Sequence, residues 1–244
     1  AVLIDLGTGA RASAQAIGKR KTPDVLVLLT HYHLDHLFGL PSLPILYEAG
    51  TKVTLAAPRL SGREIGSILP RLIGTPFWPI PMHKLPATVH FRTLAAEGQT
   101  RPLRWHGLRV RWARVHHPGG CAAYRIDEPS SGASLVFATD IEWAESTPIE
   151  KTRFTALLSH PSPAGLLCMD GAYDDRSYAT RRGWGHSRWS DVIHLAVQAG
   201  VRRVRILHPD PDAGDAALRR MDQQVQKACS FARLAREGER IQWP

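Results

Sequence analysis

Four side chains that can bind a metal ion are concentrated in residues 30–36, directly after an apolar run at residues 25–29. They are His31, His33, Asp35 and His36. The apolar run predicts a buried strand, and side chains alternate along an extended chain, so His31 and His33 are expected to point the same way. Imidazole nitrogens and carboxylate oxygens are ligands of zinc, manganese and iron. The spacing therefore predicts a divalent metal site at the end of a strand.

Further candidate ligands follow three other predicted strands. These are the pair His116 and His117 before a Pro-Gly-Gly turn, Asp140 after an apolar run, and His208 after another. A metal site at the mouth of a sheet draws its ligands from several strand ends, so these residues are expected to join the first group. The spacing alone leaves both His116 and His117 open as ligands.

Taken together, these motifs resemble the metallo-β-lactamase superfamily, whose hallmark is His-x-His-x-Asp-His at a strand end. More narrowly, the chain is similar to the phosphodiesterase branch that includes tRNase Z and the phosphonate-pathway cyclic phosphodiesterase. Further motifs of that branch recur in the same order at residues 5–9, 117–120, 138–140, 169–173, 185–187 and 235–238. The resemblance covers nearly the full chain and implies a single domain over residues 1–244.

The resemblance also implies a fold and a cofactor. The expected fold is α/β (α+β), a four-layer αββα sandwich of two mixed β-sheets, with two divalent metal ions held at the sheet edges. Zinc or manganese is expected, and iron accepts the same ligands. Carried over by position, the ligands are His31, His33 and His117 for the first ion, Asp35, His36 and His208 for the second, and Asp140 as the bridge. His117 is chosen over His116 because it directly precedes the Pro-Gly-Gly turn, as in the family.

Three residues are expected to be catalytic: Asp35, His186 and Asp170. Asp35 is expected to orient the attacking water and to accept its proton. His186 lies in a Gly-rich loop before a helix, where it could donate a proton to a phosphoryl oxygen or to the leaving group. Asp170 could accept a hydrogen bond from the other ring nitrogen of His186. The alternative for His186 is a structural histidine at a helix entry, with Ser187 as the cap.

The sequence departs from the family pattern at three places. The chain starts almost at the Asp-x-Gly-Thr-Gly turn, which predicts either a short sheet or a missing upstream segment. The usual His-Ser-Thr is replaced by His186-Ser187-Arg188. Pro209 follows the last ligand, where a second histidine is common. All seven predicted ligands are nevertheless present.

The predicted function is hydrolysis of a small or cyclic phosphodiester. Three alternatives stay open: a carbonyl hydrolase of the lactonase, thioesterase or β-lactamase type, an RNA-processing nuclease, and a non-catalytic binding or redox member. His186 favours attack at phosphorus, because carbonyl hydrolases of the superfamily often place a tyrosine or a backbone donor there. A net charge of +9, with 25 arginines among the 31 basic residues, favours a nucleic-acid substrate. The lack of a long basic Gly/Pro-rich arm in the sequence disfavours that substrate.

The composition indicates the domain organisation and the expected location of the protein. A chain of 244 residues with 43% apolar residues suits a single globular domain. No stretch approaches eighteen uninterrupted apolar residues, so we expect no membrane span. The cysteines Cys121, Cys168 and Cys229 show no paired spacing, which favours a cytoplasmic location. The proline-rich stretch 74–82 could be a lid or a homodimer contact, although local packing of its aromatic residues is favoured.

The predicted secondary structure alternates between helices and strands at both ends of the chain, with a β-rich middle. Helices are expected at residues 10–18, 43–49, 61–72, 189–199 and 216–236. Prolines predict an irregular segment at residues 74–82. After an opening strand before residue 7, strands are expected at 25–29, 52–57, 89–94, 103–105, 108–115, 122–126, 134–138, 166–169, 204–207 and 240–243.

Overall fold

The computed structural model of the chain describes residues 1–18, 23–95 and 102–242. Contacts between Cα atoms divide the protein into two units, Ala1–Ala96 and Glu97–Pro244. Each unit holds one β-sheet, flanking helices and its own apolar core. The single domain over residues 1–244 and the four-layer stacking of the sheets stay predictions.

The first unit is built on a parallel sheet of four strands in the order β1-β2-β3-β4. The strands are β1 (Val2–Ile4), β2 (Asp24–Leu28), β3 (Lys52–Ala57) and β4 (Thr88–Thr93), and the helices are α1 (Ala10–Gly18) and α2 (Ile65–Leu72). Short 3-10 turns occupy Leu34–His36, Leu40–Ser42, Pro44–Tyr47 and Met82–Lys84. The last four residues of β2 are fully buried, as expected of a central parallel strand.

The register of β1 and β2 brings the first candidate ligands next to the start of the chain. Ile4 pairs with Leu28, so the residues that follow both strands emerge side by side at the carboxyl edge of the sheet. Asp5 follows β1, and residues 30–36 follow β2. Parallel strands place such residues together although 25 positions separate Asp5 from Thr30.

The second unit is built on a mixed sheet of seven strands in the order β11-β10-β9-β8-β7-β6-β5. The strands are β5 (Leu103–Trp105), β6 (Leu108–Val115), β7 (Cys121–Glu128), β8 (Ala133–Ala138), β9 (Leu166–Asp170), β10 (Val204–Leu207) and β11 (Ala232–Leu234). The helices are α3 (Pro148–Ser159), α4 (Asp175–Tyr178), α5 (Trp189–Ala199) and α6 (Asp215–Ala228). Strands β5 to β8 form an antiparallel meander, and β8 to β11 run parallel.

The parallel half of this sheet gathers residues that are distant in sequence. Ala138 pairs with Met169, and Leu207 pairs with Asp170, so β8, β9 and β10 end at the same edge. Asp140, Asp170 and His208 therefore lie at one carboxyl edge. The loop between β6 and β7 reaches that edge too, because Val115 pairs with Cys121 at the end of their antiparallel ladder.

Several predicted element bounds are wrong. The helix predicted at 61–72 begins only at Ile65, and the one predicted at 43–49 is the 3-10 turn Pro44–Tyr47. The long helix predicted at 216–236 ends at Ala228, because Cys229 is extended with a φ of −154°. The chain then forms β11 against β10. Of the strand predicted at 240–243, residues 240–242 are irregular, and residue 243 lies outside the described residues.

Two helices were not predicted, and α3 had a recognisable start signal. Its N-cap is Thr147, whose hydroxyl accepts a hydrogen bond from the amide of Glu150. The Glu150 carboxylate in turn accepts from the amide of Thr147, which completes a capping box. Pro148 at the first helical position belongs to the same signal. The other unpredicted helix, α4, is a single turn with the same kind of cap at Asp174.

The proline-rich segment 74–82 is irregular, as predicted, apart from the 3-10 turn that begins at Met82. Its two aromatic residues differ in environment. Trp78 packs against the core of the first unit and donates a hydrogen bond of 2.7 Å to the hydroxyl of Tyr47. Phe77 is 73% exposed. Local packing thus describes Trp78, whereas a lid or homodimer role for Phe77 stays a prediction.

Among the described residues, every helix is too short or too polar to cross a lipid bilayer. The longest, α6, has 14 residues, whereas a membrane-spanning helix needs about 20.

Candidate metal centre

The candidate ligands of the first unit lie around a tight turn after β2. The imidazole ring of His31 lies with its centroid 4.4 Å from that of His33 and 4.3 Å from that of His36. The side chain of Asp35 is 63% exposed, and its carboxylate lies 3.2 Å from Nε2 of His36. Three imidazoles and a carboxylate are thus brought together, as the sequence predicts.

Asp5 orients this group of ligands, and sequence reasoning missed that role. Its carboxylate accepts hydrogen bonds of 2.7 Å from both the amide and the hydroxyl of Thr30. The same carboxylate lies 2.9 Å from Nδ1 of His36. An Nδ1–H that donates to Asp5 leaves the Nε2 lone pair of His36 available for a metal ion. The Asp-x-Gly-Thr-Gly motif at residues 5–9 contained the signal, but its spacing suggested only a turn.

Thr30 extends this arrangement to a second histidine. Its single hydroxyl hydrogen is directed at Asp5, so its oxygen is left to accept from Nδ1 of His31, 3.0 Å away. That contact favours the tautomer of His31 in which Nε2 carries the free lone pair that could bind a metal ion. The Asp5 carboxylate thus orients two predicted ligands. It contacts His36 directly and His31 through the buried hydroxyl of Thr30.

Glycines allow the ligand turn to lie directly against the end of β1. The amide of Leu6 donates to the carbonyl of His36 at 2.8 Å, and the amide of Gly39 donates to the carbonyl of Leu6 at 2.7 Å. A Cβ atom at Gly39 would lie 2.2 Å from the carbonyl oxygen of Gly7. No other residue type fits there without a shift of the backbone.

The candidate ligands of the second unit surround Asp140. Nε2 of His117 lies 3.6 Å from one carboxylate oxygen of Asp140, and Nε2 of His208 lies 3.5 Å from the other. One ligand atom from each of Asp140, His186 and His208 can be chosen so that all lie within 4.8 Å of one another. Imidazole and carboxylate donors suit zinc, manganese or iron, so the residues fit the predicted metal.

Asp140 and His208 adopt backbone conformations that residues other than glycine rarely adopt. Their φ angles are 49° and 57°, and Asp5 in the first unit has a φ of 59°. Such left-handed conformations cost roughly 1–2 kcal/mol per residue relative to the usual helical region. Each of the three residues lies within two positions of the end of a strand, β1, β8 or β10. Ser61 and His106 also have positive φ angles, so this conformation is not confined to the candidate site.

His117 and His116, which the spacing left open, occupy different environments. His117 is buried, and its Nδ1 lies 2.9 Å from the carbonyl oxygen of Gly185, which leaves Nε2 towards Asp140. His116 is partly exposed, with its ring 3.8 Å from Glu150. Only His117 is placed with the other candidate ligands of this unit.

His186 and Asp170 form the pair that the sequence predicts. Nδ1 of His186 lies 2.8 Å from the buried carboxylate of Asp170, which also accepts from the amides of Ile141 and Ala172 at 3.1 Å. The ring of His186 stacks on His208 at 4.6 Å between centroids. Burial lowers the pKa of His186, but the hydrogen bond to Asp170 and its negative charge outweigh this effect, so the pKa lies above the ordinary histidine value.

Glu142 fixes the loop that carries His186, a role that sequence reasoning did not assign to it. This carboxylate is fully buried and accepts hydrogen bonds from the amides of Gly183 and Gly185, at 2.7 and 2.8 Å. It accepts a third from the hydroxyl of Tyr178 at 2.7 Å. Three charge-assisted bonds compensate for burying the charge and hold the loop rigidly. Ser187 adds a link, because its hydroxyl accepts from the amide of Trp143 at 3.1 Å.

These features define the class of protein. The two sheets with flanking helices, and the histidines and carboxylates at their carboxyl edges, are those of a metal-dependent hydrolase with the metallo-β-lactamase fold. Residues 1–208 match the model of the beta-lactamase superfamily domain. The chain therefore belongs to this superfamily, which confirms the resemblance and the fold class that its motifs predict.

Curated relatives extend the comparison. Ribonuclease Z of Lachnospira eligens is 29% identical over 249 residues, which cover 86% of this chain and 78% of that protein. Ribonuclease Z of Bradyrhizobium is 24% identical and covers 85% of this chain and 79% of its own length. These relatives agree with the predicted branch of the superfamily.

Solved structures show the same fold at low sequence identity. The short form of human tRNase Z superimposes with a TM-score of 0.71 at 16% identity, covering all of this chain and 88% of that one. The metallo-beta-lactamase fold protein YhfI from Bacillus subtilis gives a TM-score of 0.64 at 17% identity, covering 98% of this chain and 85% of that one. At these identities the likeness concerns the fold alone.

Proposed function

We propose that the protein is a metal-dependent phosphodiesterase that hydrolyses a small or cyclic phosphodiester. The observation that carries the proposal is the hydrogen-bonded pair of His186 and Asp170 beside Asp140 and His208. A histidine held in this way can donate a proton next to a metal-binding group, which hydrolysis of a phosphodiester requires. The curated relatives support the proposal, because the name Ribonuclease Z denotes an enzyme that cleaves phosphodiester bonds of RNA.

We propose that the seven residues singled out by the family motifs are the metal ligands. They are His31, His33, Asp35, His36, His117, Asp140 and His208. Within each unit, the proposed ligands lie at the carboxyl edge of the sheet. Hydrogen bonds to Nδ1 leave Nε2 of His31, His36 and His117 available for a metal ion. Two divalent ions, zinc or manganese, bound by these ligands would polarise the phosphoryl group and lower the pKa of a water molecule.

The side chains of the protein have distinct roles in this proposal. Asp35, whose side chain is 63% exposed, orients the attacking water and accepts its proton. His186 keeps Nδ1 on Asp170 and therefore presents Nε2 to the leaving-group oxygen. Asp170 is a positioning residue, because its carboxylate touches His186 and two backbone amides rather than substrate.

The test is hydrolysis of 3′,5′-cyclic AMP, a cyclic diester whose alkoxide leaving group needs a proton, by protein stripped of metal and then loaded with zinc or manganese. We expect a metal-dependent rate that falls roughly 100-fold in His186→Ala, as for loss of a general acid, with the metal content unchanged. His194→Ala, on the exposed side of α5, is the matched control and should keep full activity. Loss of metal from His186→Ala would contradict the assigned role. A fully loaded protein that cleaves lactones or thioesters but no phosphodiester would favour a carbonyl hydrolase.

A specific observation favours a second candidate, an RNA-processing nuclease. The relatives described above are named Ribonuclease Z, and the chain carries a net charge of +9. A structured RNA with a 3′ extension, incubated with the same metal-loaded protein, separates the two candidates. Specific cleavage of the RNA at a kcat/KM well above that for the small diesters would establish the nuclease.

A further inference from the structure

A tryptophan is displayed at the tip of the loop that carries His186. Trp184 lies between Gly183 and Gly185, and both glycine amides donate to the buried carboxylate of Glu142. Both glycines adopt left-handed conformations, with φ angles of 86° and 93°. The backbone on each side of Trp184 is therefore fixed, and the exposed indole is held by a rigid loop.

The indole of Trp184 is 61% exposed. Two other tryptophans of this unit, Trp143 and Trp189, pack against its apolar core instead. A single exposed apolar residue is common on protein surfaces and requires no explanation by itself. A large aromatic ring that is held on a rigid loop is different, because its exposed surface contributes little to the stability of the fold and yet its position is fixed.

A continuous row of rings and charge joins Trp184 to the proposed catalytic histidine. The guanidinium carbon of Arg181 lies 5.9 Å from the centre of the Trp184 ring and 5.4 Å from that of Tyr173. The Tyr173 ring lies 6.1 Å from the ring of His186. Asp210 holds Arg181 in place through an ion pair of 3.2 Å. A positive charge and an exposed aromatic face thus lie on one side of His186.

We propose that Trp184 stacks against the nucleobase of the substrate and that Arg181 contacts its phosphate. The inference rests on the proposed phosphodiesterase function and specifies its substrate class, a nucleoside phosphodiester. Aromatic rings bind bases through their flat faces with little preference among bases. A guanidinium matches phosphate oxygens and also packs on aromatic faces. The row therefore selects diesters that carry a base over diesters that do not.

The first test compares two chromogenic substrates that release the same 4-nitrophenolate. Thymidine 5′-(4-nitrophenyl phosphate) carries a base, and methyl 4-nitrophenyl phosphate does not. Trp184→Ala should lower kcat/KM for the thymidine substrate roughly tenfold, mainly through KM, within the range measured for base stacking on aromatic side chains. It should change the methyl substrate less than twofold, and Trp184→Phe should recover most of the loss.

Val197→Ala is the matched control, because Val197 is 60% exposed on α5 and lies outside the row. It should leave both substrates unchanged. Equal losses on both substrates in Trp184→Ala, or no loss on either, would overturn the stacking role. Thermal melting and metal content of each variant show whether the loop change has altered the fold.

A binding measurement separates this inference from the proposed function. In protein labelled with 5-fluorotryptophan, the fluorine resonance of Trp184 is the one missing from the spectrum of Trp184→Phe. Uridine 5′-monophosphate should shift that resonance strongly, and methyl phosphate, which can contact Arg181 but carries no base, should shift it much less. A shift without turnover of either diester would refute the phosphodiesterase and retain the base site. Turnover without a selective shift would refute the base site alone.

Discussion

The two units assemble their candidate metal-binding groups in opposite ways. In the first unit, all four candidate ligands lie within residues 30–36, on one turn after one strand. In the second unit, the loops after β6, β8, β9 and β10 each contribute one residue, His117, Asp140, His186 or His208. A local turn defines the first group, whereas the register of a whole sheet defines the second.

The supporting residues differ in the same way. In the first unit, one partly buried carboxylate, Asp5, positions His36 directly and His31 through Thr30. In the second unit, two fully buried carboxylates divide the task, because Asp170 holds His186 and Glu142 holds the loop around it. We infer that one substitution, at Asp5, would weaken metal binding by the first unit. In the second unit, a substitution of Asp170 would affect catalysis, whereas a substitution of Glu142 would affect stability.

The largest expected effect is that of Asp140→Asn, which tests whether the second group depends on its central residue. Asparagine tolerates the left-handed backbone at this position, so the fold should persist. Loss of the negative charge that faces His117 and His208 should lower metal content and reduce kcat/KM by roughly 1,000-fold. Elemental analysis and steady-state kinetics measure both quantities. Asp212→Asn, on an exposed loop, is the control, and retained metal with a loss below tenfold would contradict this role.

A smaller effect is expected for Asp5→Asn, which tests whether one carboxylate supports the whole first group. The side-chain nitrogen of asparagine is a donor, so asparagine can replace only one of the two carboxylate oxygens that accept from Thr30 and His36. Either the amide of Thr30 is left without its acceptor, or His36 loses its partner or changes tautomer. Metal affinity or kcat/KM should fall by about 10- to 100-fold, as for other residues that hold a metal ligand. Competition with a chromophoric chelator measures the affinity. Glu48→Gln is the control in the same unit, and unchanged affinity would show that Asp5 serves the turn alone.

The smallest expected effect is that of Glu142→Gln, which tests whether a residue of the second unit can support the stability of the fold without affecting metal binding. Glutamine offers one acceptor oxygen where three donors converge, so a buried amide is left unpaired at a cost of about 1–3 kcal/mol. The melting temperature should fall by several degrees, with little loss of metal. Glu145→Gln, which removes the partner of the exposed Arg182, is the control. A loss of metal as large as that of Asp5→Asn would remove the distinction between the units.

The contrast also explains what the sequence could predict. The first ligand group could be recognised from its own spacing, since residues that are close in sequence are close in space on a turn. Asp140 and His208 could be named as candidates from their places after predicted strands, but their roles came only from the family resemblance, because strand pairing between β8, β9 and β10 brings them together. The bounds of β5, β6, β3, β10 and α5 were predicted as the structure has them, since alternating or periodic apolar residues set them.

The supporting roles that sequence reasoning did not assign depend on contacts between residues that are distant in sequence. Asp5 meets His36 across 31 positions, and Glu142 meets Gly185 across 43. The motif that contains Asp5 suggested only a turn, and a buried carboxylate such as that of Glu142 looks like any other acidic residue in a sequence. The strand at Ala232–Leu234 was missed for a related reason, because its alternation is as short as one helical turn and only pairing with β10 decides it.

The left-handed backbone at Asp5, Asp140 and His208 has a consequence for evolution and protein engineering. A glycine at any of these positions would relieve the conformational cost of the backbone. The same glycine would remove a side chain that accepts hydrogen bonds or, in our proposal, binds a metal ion. Retention of these three residues in a homologue would therefore indicate selection for the side chains of the site rather than for an unstrained backbone.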